Sequence, residues 1–249
     1  MNSNLYQTYV ENFSRFHSLP DEEYKDSNIN KFLPAAWQTW LPADKSISIL
    51  DFGCGWGHFL LALHQLGYRN LTGIDSSIEM CQVAKQSLPE NITIVPSNDS
   101  HEWLSSQTAK FDLVTMNNVI EHIPIDVAVP LLRTIKESLK PGGHIFISTP
   151  NMAGVFGSYT RYVDLTHVVG FTEFSLFQLL DLVGFKEHQI TSNIPDIDFS
   201  KWRPWKPWRG LGLTHSLRRV IFSSLFRLSG TSPLPTCFIS HLDVLSKSS

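Results

Sequence analysis

The residues Asp51-Phe52-Gly53-Cys54-Gly55-Trp56-Gly57 carry the densest chemical signal in the chain. A short apolar run ends in a carboxylate, and three glycines at alternate positions lead into a helical pattern. Glycines there permit positive φ and let a ligand approach the backbone closely. The start of the helix offers unpaired N–H groups. The dinucleotide fingerprint GxGxxG has its third glycine one residue later, and a carboxylate directly before the turn would repel a pyrophosphate. The pattern suits a ligand with a positive charge. A second acid, Asp75, ends the next apolar run, 18 residues after Gly57. An acid at that place accepts hydrogen bonds from ribose hydroxyls in Rossmann-like units.

A second group of residues could move a proton. Ten histidines are present, and imidazole is the side chain best matched to general-base work near neutral pH. His122 stands in Glu121-His122-Ile123-Pro124, and His167 in the polar run Arg161-Tyr162-Val163-Asp164-Leu165-Thr166-His167. Asp164 and His167 are spaced to form a carboxylate–imidazole pair that would orient the ring and raise its basicity. A plainer role stands beside each: Glu121 and His122 could brace their loop, and Asp164 and Thr166 could fix the turn before a helix. No HExxH spacing occurs, so no metal is expected. Cys54, Cys81 and Cys237 are far apart and form no CxxC pair, which argues against a zinc ribbon or a disulfide scaffold.

These residues need elements to hold them. Short apolar runs at Ile47–Phe52, Leu71–Asp75, Ile92–Pro96, Phe111–Met116 and Ile145–Ser148 read as strands. Helical spacing separates them at His58–Leu66, Ile78–Leu88 and Val127–Leu139, the last ended by Pro141-Gly142-Gly143. A helix at Thr172–Val183 and strands at Phe185–Thr191 and Cys237–Leu245 follow. Strand–helix alternation predicts an α/β fold with a doubly wound, Rossmann-like parallel sheet. Residues 1–46, with helices expected around Leu5–Phe16 and Asn30–Trp40, form a helical cap, and 47–249 the main domain. Segments 151–171 and 193–234 interrupt the alternation as acceptor-side insertions.

LDFGCGWG, GIDSS, FDLVTMNNVIEHIP and LKPGGHIFISTPN, in this order and spacing, resemble the successive motifs of class I S-adenosylmethionine-dependent methyltransferases. The resemblance covers about residues 47–192. It implies seven strands, the last antiparallel. It also implies that Asp51 with Gly53, Gly55 and Gly57 holds the methionine portion of S-adenosylmethionine, and that Asp75 binds its ribose. Asn98, Asp99 and Ser100 would border the adenine, and Asn117 and Asn118 would lie beside the sulfonium. EHIP resembles small-molecule O-methyltransferases, including those of the ubiquinone pathway. DLTHVVGFT resembles a signature of bacterial methyltransferases encoded with cell-surface glycan enzymes. The expected reaction is O-methylation of a small-molecule or sugar hydroxyl, with His167 or His122 as base and Asp164 in support. N- or nucleic-acid methylation, or cofactor binding without catalysis, are the alternatives.

The chain has 249 residues, 42% hydrophobic and 17% charged, which excludes a disordered protein. Its net charge of −3 argues against a nucleic-acid partner. That average hides an uneven distribution. Residues 200–241 hold seven Lys and Arg and no acid, leaving −10 elsewhere. Trp202, Trp205 and Trp208 recur there every third residue between prolines, and Leu217–Leu228 reads as a basic amphipathic helix with Leu217, Val220, Ile221, Leu225 and Leu228 on one face. A lid, an anionic or lipid-linked acceptor, or peripheral membrane contact through 201–228 would each fit. Met1–Val10 has no leader pattern and no run is long enough to span a membrane, so a cytoplasmic place is expected.

Overall fold

Neighbouring residues in the central strands face opposite ways, as the two-residue period of a strand requires. Ile49, Leu113 and Phe146 lie in one core cluster, and Leu50, Val114 and Ile145 in the other. A computed structural model describes residue 33 and residues 35–154, 156–190, 204–205 and 213–249. In chain order the elements are α1 (Ala35–Gln38), β1 (Ser48–Phe52), α2 (His58–Gln65), β2 (Asn70–Asp75), α3 (Ile78–Ser87) and β3 (Thr93–Pro96). Then come α4 (Ser100–Ser105), β4 (Phe111–Asn117), a 3₁₀ turn (Ile120–His122), α5 (Ile125–Ser138) and β5 (Leu139–Pro150). The chain ends with α6 (Gly157–Tyr162), α7 (Glu173–Val183), β6 (Phe185–Ile190), α8 (Leu213–Leu228) and β7 (His241–Ser248).

The seven strands form one sheet in the order β3-β2-β1-β4-β5-β7-β6. β1 to β5 are parallel, and β7 runs antiparallel to both β5 and β6. The expected doubly wound, mostly parallel sheet with an antiparallel last strand is therefore present. The strand order reverses between β1 and β4. Such a switch point opens a crevice at the carboxyl ends of the strands, where Asp51 and Asn117 stand. Helices α4, α5 and α7 supply one core cluster, and α2 and α3 the other.

Several elements depart from their expected bounds. The expected helix end at Leu139 falls one residue late: α5 stops at Ser138 and β5 starts at Leu139. Phe111 pairs with Leu139 and Leu113 with His144, so Pro141-Gly142-Gly143 bulges out of a continuing strand rather than preceding it. The last strand starts at His241, not Cys237. Cys237 and Phe238 are buried in the approach to it. Glu173, 3% exposed, accepts hydrogen bonds from Thr236 N, Thr236 Oγ1 and Cys237 N, which holds this approach off the sheet.

The N-terminal helix around Leu5–Phe16 lies outside the described residues. Of Asn30–Trp40, α1 is described, and it packs on a sheet face. The Trp37 indole N–H donates to Asp243 at 2.9 Å, and Trp40 stacks on Phe146 with centroids 4.4 Å apart. Trp202 and Trp208 also lie outside the described residues, and Trp205 is exposed. Helix α8 exists, with its expected apolar face turned outward: Leu217, Val220, Ile221, Leu225 and Leu228 are exposed. Phe222 and Phe226 anchor it instead, each against Phe238. Among the described residues no helix is long and apolar enough to cross a membrane.

Candidate active site

Asp51, the penultimate residue of β1, is 2% exposed. One of its oxygens accepts hydrogen bonds from Thr115 Oγ1 at 2.7 Å and Asn117 Nδ2 at 3.3 Å, both from neighbouring β4. Burial pushes its carboxyl up to about 7, and the Asp75 charge adds to the rise against the two hydrogen bonds. The amide oxygen Oδ1 of Asn117 is buried without a partner. A carboxylate and an orphaned carbonyl oxygen in one spot constitute a site short of a cationic donor.

The turn after β1 is tied to the end of β2. Gly53 and Cys54 donate to the Ile74 carbonyl at 2.8 and 3.1 Å. Asp75 accepts from Gly55 N and Ser77 N, each at 2.8 Å, so its carboxylate joins the two turns. Burial raises the Asp75 pKa while these backbone N–H groups pull it down. Gly53, Gly55 and Gly57 all have positive φ. At Gly53 the glycine is required twice over, because a Cβ would also lie 2.4 Å from Val119 Cγ2. At Gly55 a Cβ would find only Met80 Sδ, 3.8 Å away, so its backbone faces open space.

After β3, Ser97 N donates to the Asp75 carbonyl, which places Asn98-Asp99-Ser100 beside the carboxyl end of β2. Asp99 caps α4 by accepting from Glu102 N at 2.9 Å. Asn98 and Asp99 are exposed. Asn118 N donates to the Ser148 carbonyl with φ of 52°, which carries the β4–β5 pairing one residue past Asn117.

The 3₁₀ turn then presents Glu121 and His122. Glu121 is 2% exposed. Its Oε2 accepts from Thr149 Oγ1 at 3.0 Å, and its Oε1 is buried with no partner. Burial pushes this carboxyl up to about 7. The Glu121 carbonyl also accepts from Val168 N and Val169 N at 2.8 and 3.0 Å. That bracing draws the 151–171 segment over the turn and sets the His122 and His167 rings with centroids 4.8 Å apart.

The expected direct pair of Asp164 with the His167 ring is not what forms. Asp164 Oδ1 accepts from Thr166 N at 2.8 Å and Thr166 Oγ1 at 2.7 Å. The Thr166 oxygen is also 2.8 Å from His122 Nδ1. A hydroxyl has one proton, and the carboxylate can only accept, so His122 Nδ1–H donates to Thr166. Asp164 thus orients His122 through Thr166, because a two-residue Asx turn captures its oxygen before the more distant ring can. His167 Nδ1 is 2.9 Å from the Thr160 carbonyl and must donate to it, and Arg161 holds the His167 carbonyl. In both neutral rings the lone pair is therefore on Nε2. Burial, then the neighbouring His167, lowers the His122 pKa against Asp164 and Thr166. Asp164 stays below its usual range: Thr166 and the two imidazoles outweigh its desolvation.

Sequence reasoning gave Glu121 a bracing part, and its carbonyl plays one. It missed the carboxylate. Glu121, His122 and His167 each offer a ligand atom, all within 4.8 Å of one another. No linear spacing flags a cluster whose third member, His167, lies more than forty residues from the other two.

A family profile described as "Methyltransferase domain" matches residues 21–190, more than half of the chain. The chain belongs to this methyltransferase-domain family. Curated relatives include proteins named ubiquinone biosynthesis O-methyltransferase. That of Haemophilus ducreyi is 38% identical over 109 residues, 41% of this chain and 45% of that protein. That of Xanthomonas campestris is 37% identical over 105 residues, 41% of this chain and 43% of that protein. The chain thus spans less than half the length of these relatives. Among solved structures, a SAM-dependent methyltransferase from Archaeoglobus fulgidus superposes with a TM-score of 0.63 at 21% identity, covering 96% of this chain and 99% of that one. Human N-acetylserotonin methyltransferase in complex with SAM gives 0.59 at 15% identity, covering 100% and 60%. At those identities the likeness is one of fold, and the fold is that of SAM-dependent methyltransferases.

Proposed function

We propose that this methyltransferase-family chain transfers the methyl group of S-adenosylmethionine to a hydroxyl oxygen of a small molecule. The observation that carries the reading is the cation-deficient spot at Asp51 and Asn117. The α-ammonium of the cofactor's methionine portion satisfies it: the ammonium supplies donors to the Asn117 oxygen and a charge that lets Asp51 ionise. Asp75 holds the ribose hydroxyls through its carboxylate, which Gly55 and Ser77 fix in place. Gly55 gives the cofactor close access to the backbone. Asn98, Asp99 and Ser100 border the adenine, and Asn117 and Asn118 face the sulfonium.

When bound, the cofactor supplies an electrophilic methyl group on a sulfonium. The protein's own work is to orient the acceptor, exclude water and manage one proton. Glu121, His122 and His167 stand just past the β4 residues Thr115 and Asn117 that bind Asp51. His167 presents an Nε2 lone pair, and Asp164 fixes His122 beside it through Thr166. A hydroxyl bound there can give up its proton as its oxygen forms the new bond. An amine acceptor needs no such group once it is neutral, so this cluster favours oxygen. The names of the ubiquinone relatives support a small-molecule oxygen acceptor, and they lend no support to a sugar. The outward face of α8, with Arg219 and Arg227 exposed beside it, suits an anionic acceptor or surface.

The test is methyl transfer from labelled S-adenosylmethionine to pools of phenolic, aliphatic and sugar hydroxyls and of amines, with products resolved by mass spectrometry. The label is expected in a methyl ether. Label in an N-methyl product would overturn the oxygen assignment.

A further inference from the structure

A groove lies at the opposite end of the sheet from Asp51 and Asn117. It measures about 480 Å³ and is lined by the first residues of β1, β2, β3 and β4, by Trp103 of α4 and by Gln107 just after it. That volume is within the range of small-ligand sites. Strand alternation explains its surface. Leu50, Ile74 and Val95 face the core cluster that α4, α5 and α7 supply. Ser48, Thr72 and Thr93 stand two places before them, so they share that face, and all three line the groove. Thr72 and Thr93 are register partners, and neither hydroxyl is bonded within the described residues. Asn70 donates to the Ser46 carbonyl at 2.6 Å, which leaves its amide oxygen as an acceptor.

Two cations rim it. Arg69 and Lys110 directly precede β2 and β4, the two neighbours of β1. They therefore bracket Ser48 from strands about 5 Å away on each side. Arg69 is held by donating to the His64 and Tyr68 carbonyls at 2.8 and 3.0 Å, and Lys110 by donating to Gln107. Neither forms an ion pair among the described residues. Among the described residues no acid lines the groove. Asp112, which accepts from Ser48 N, is paired with Lys140 at 2.7 Å. In a chain of net charge −3, a polar groove with two unpaired cations and no acid selects an anion. Trp103, tilted against Phe111 with centroids 6.4 Å apart, adds an apolar wall.

We propose that this groove is a second binding site, for the phosphate ester of a sugar. Arg69 and Lys110 take the phosphate by charge-assisted hydrogen bonds. Ser48, Thr72, Thr93 and the Asn70 oxygen meet the hydroxyls. The Trp103 ring lies against the apolar face of the sugar or of an attached base. Hexose phosphates and nucleoside monophosphates share this chemistry. β4 runs from Phe111 in the groove to Asn117 at the proposed cofactor residues, and a rise of about 3.3 Å per residue makes that roughly 20 Å. The occupant is therefore not the methyl acceptor, and the site stands independently of the methyl-transfer reading.

The test is calorimetric titration of the full chain, in the presence of S-adenosylhomocysteine, with glucose 6-phosphate, uridine monophosphate and inorganic phosphate. One equivalent of at least one ester is expected to bind, about tenfold or more tighter than inorganic phosphate, and the tighter ester identifies the source. Arg69→Ala and Lys110→Gln should each weaken that binding by about tenfold or more, and Thr93→Val by a smaller factor. Titration of each variant with S-adenosylhomocysteine reports that it is folded. Failure of that titration in the wild type would bear on the methyltransferase reading alone. Wild-type protein that binds neither ester would overturn the groove site. So would inorganic phosphate binding as tightly as the esters, or an ester affinity that neither Arg69→Ala nor Lys110→Gln lowers.

Discussion

The two halves of the site are built by different means. The proposed cofactor half, from β1 to β3, is assembled from neighbours: Asp51 lies at the end of β1, Gly53 and Gly55 on the turn that follows, and Asp75 closes the next parallel strand. The proposed acceptor half is assembled from afar. Glu121 and His122 come from the turn after β4, His167 and Thr166 from the segment after β5, and Thr149 from β5 itself. Parallel strands with short turns generate the first arrangement from local sequence. The second needs a loop to fold back, and two backbone hydrogen bonds to the Glu121 carbonyl bring it there. One contact between the halves is at Gly53, whose hydrogen-only face lies against Val119.

That division can be broken most sharply at His167. His167→Ala should lower kcat by about 10²- to 10⁴-fold while S-adenosylhomocysteine affinity, read by calorimetry, stays unchanged. A parallel fall in affinity would mean that the halves are not separable. Next in size, Asp75→Ala removes charge-assisted hydrogen bonds each worth about 1.5–3 kcal/mol. Cofactor-product affinity should drop by about a hundredfold or more.

The seam itself is the third target. Gly53→Ala meets both the φ of 76° and the 2.4 Å approach to Val119. A loss of roughly 2–4 kcal/mol in a denaturant melt is expected. Adding Val119→Ala should recover the steric part and leave the backbone part.

The smallest expected effect is in pH. Asp51 rises from 3.8 in the unfolded chain to about 7 in the folded one. The folded protein therefore keeps a proton that the unfolded chain has released. The stabilisation is full below about pH 4 and is lost as pH rises through 7. Thermal scans without cofactor should show that decline, and Asp51→Asn should flatten it. A ligand ammonium needs the ionised carboxylate, so affinity for S-adenosylhomocysteine should rise by up to about tenfold per pH unit below 7 and level off above it.

How much of this could be read in the residues follows the same division. The strand run ending at Asp51, the GxGxG spacing and the position of Asp75 are local signals on which the proposed cofactor residues rest, and the parallel sheet follows from the alternation of strands and helices. The boundaries that shifted were set by distant partners. Glu173 holds Thr236 and Cys237 away from the sheet, and the β4–β5 register absorbs Pro141-Gly142-Gly143 as a bulge. His122 and His167 were identifiable as titratable groups after strands. Their tautomers, the capture of Asp164 by Thr166, and the unpartnered Glu121 oxygen depend on side-chain contacts that no spacing encodes. The outward turn of α8 was likewise decided by Phe222 and Phe226 meeting Phe238, not by its aliphatic stripe.

The central claim is a cofactor cradle completed by a ligand ammonium at Asp51. Calorimetric titration with S-adenosylhomocysteine at pH 6, 7 and 8 tests it most directly. The expected result is one binding event whose affinity climbs from pH 6 to 7 and then levels, with proton release at pH 6, and whose pH dependence disappears in Asp51→Asn. Absence of binding by the wild type, or an affinity equal at pH 6 and 8, would contradict it.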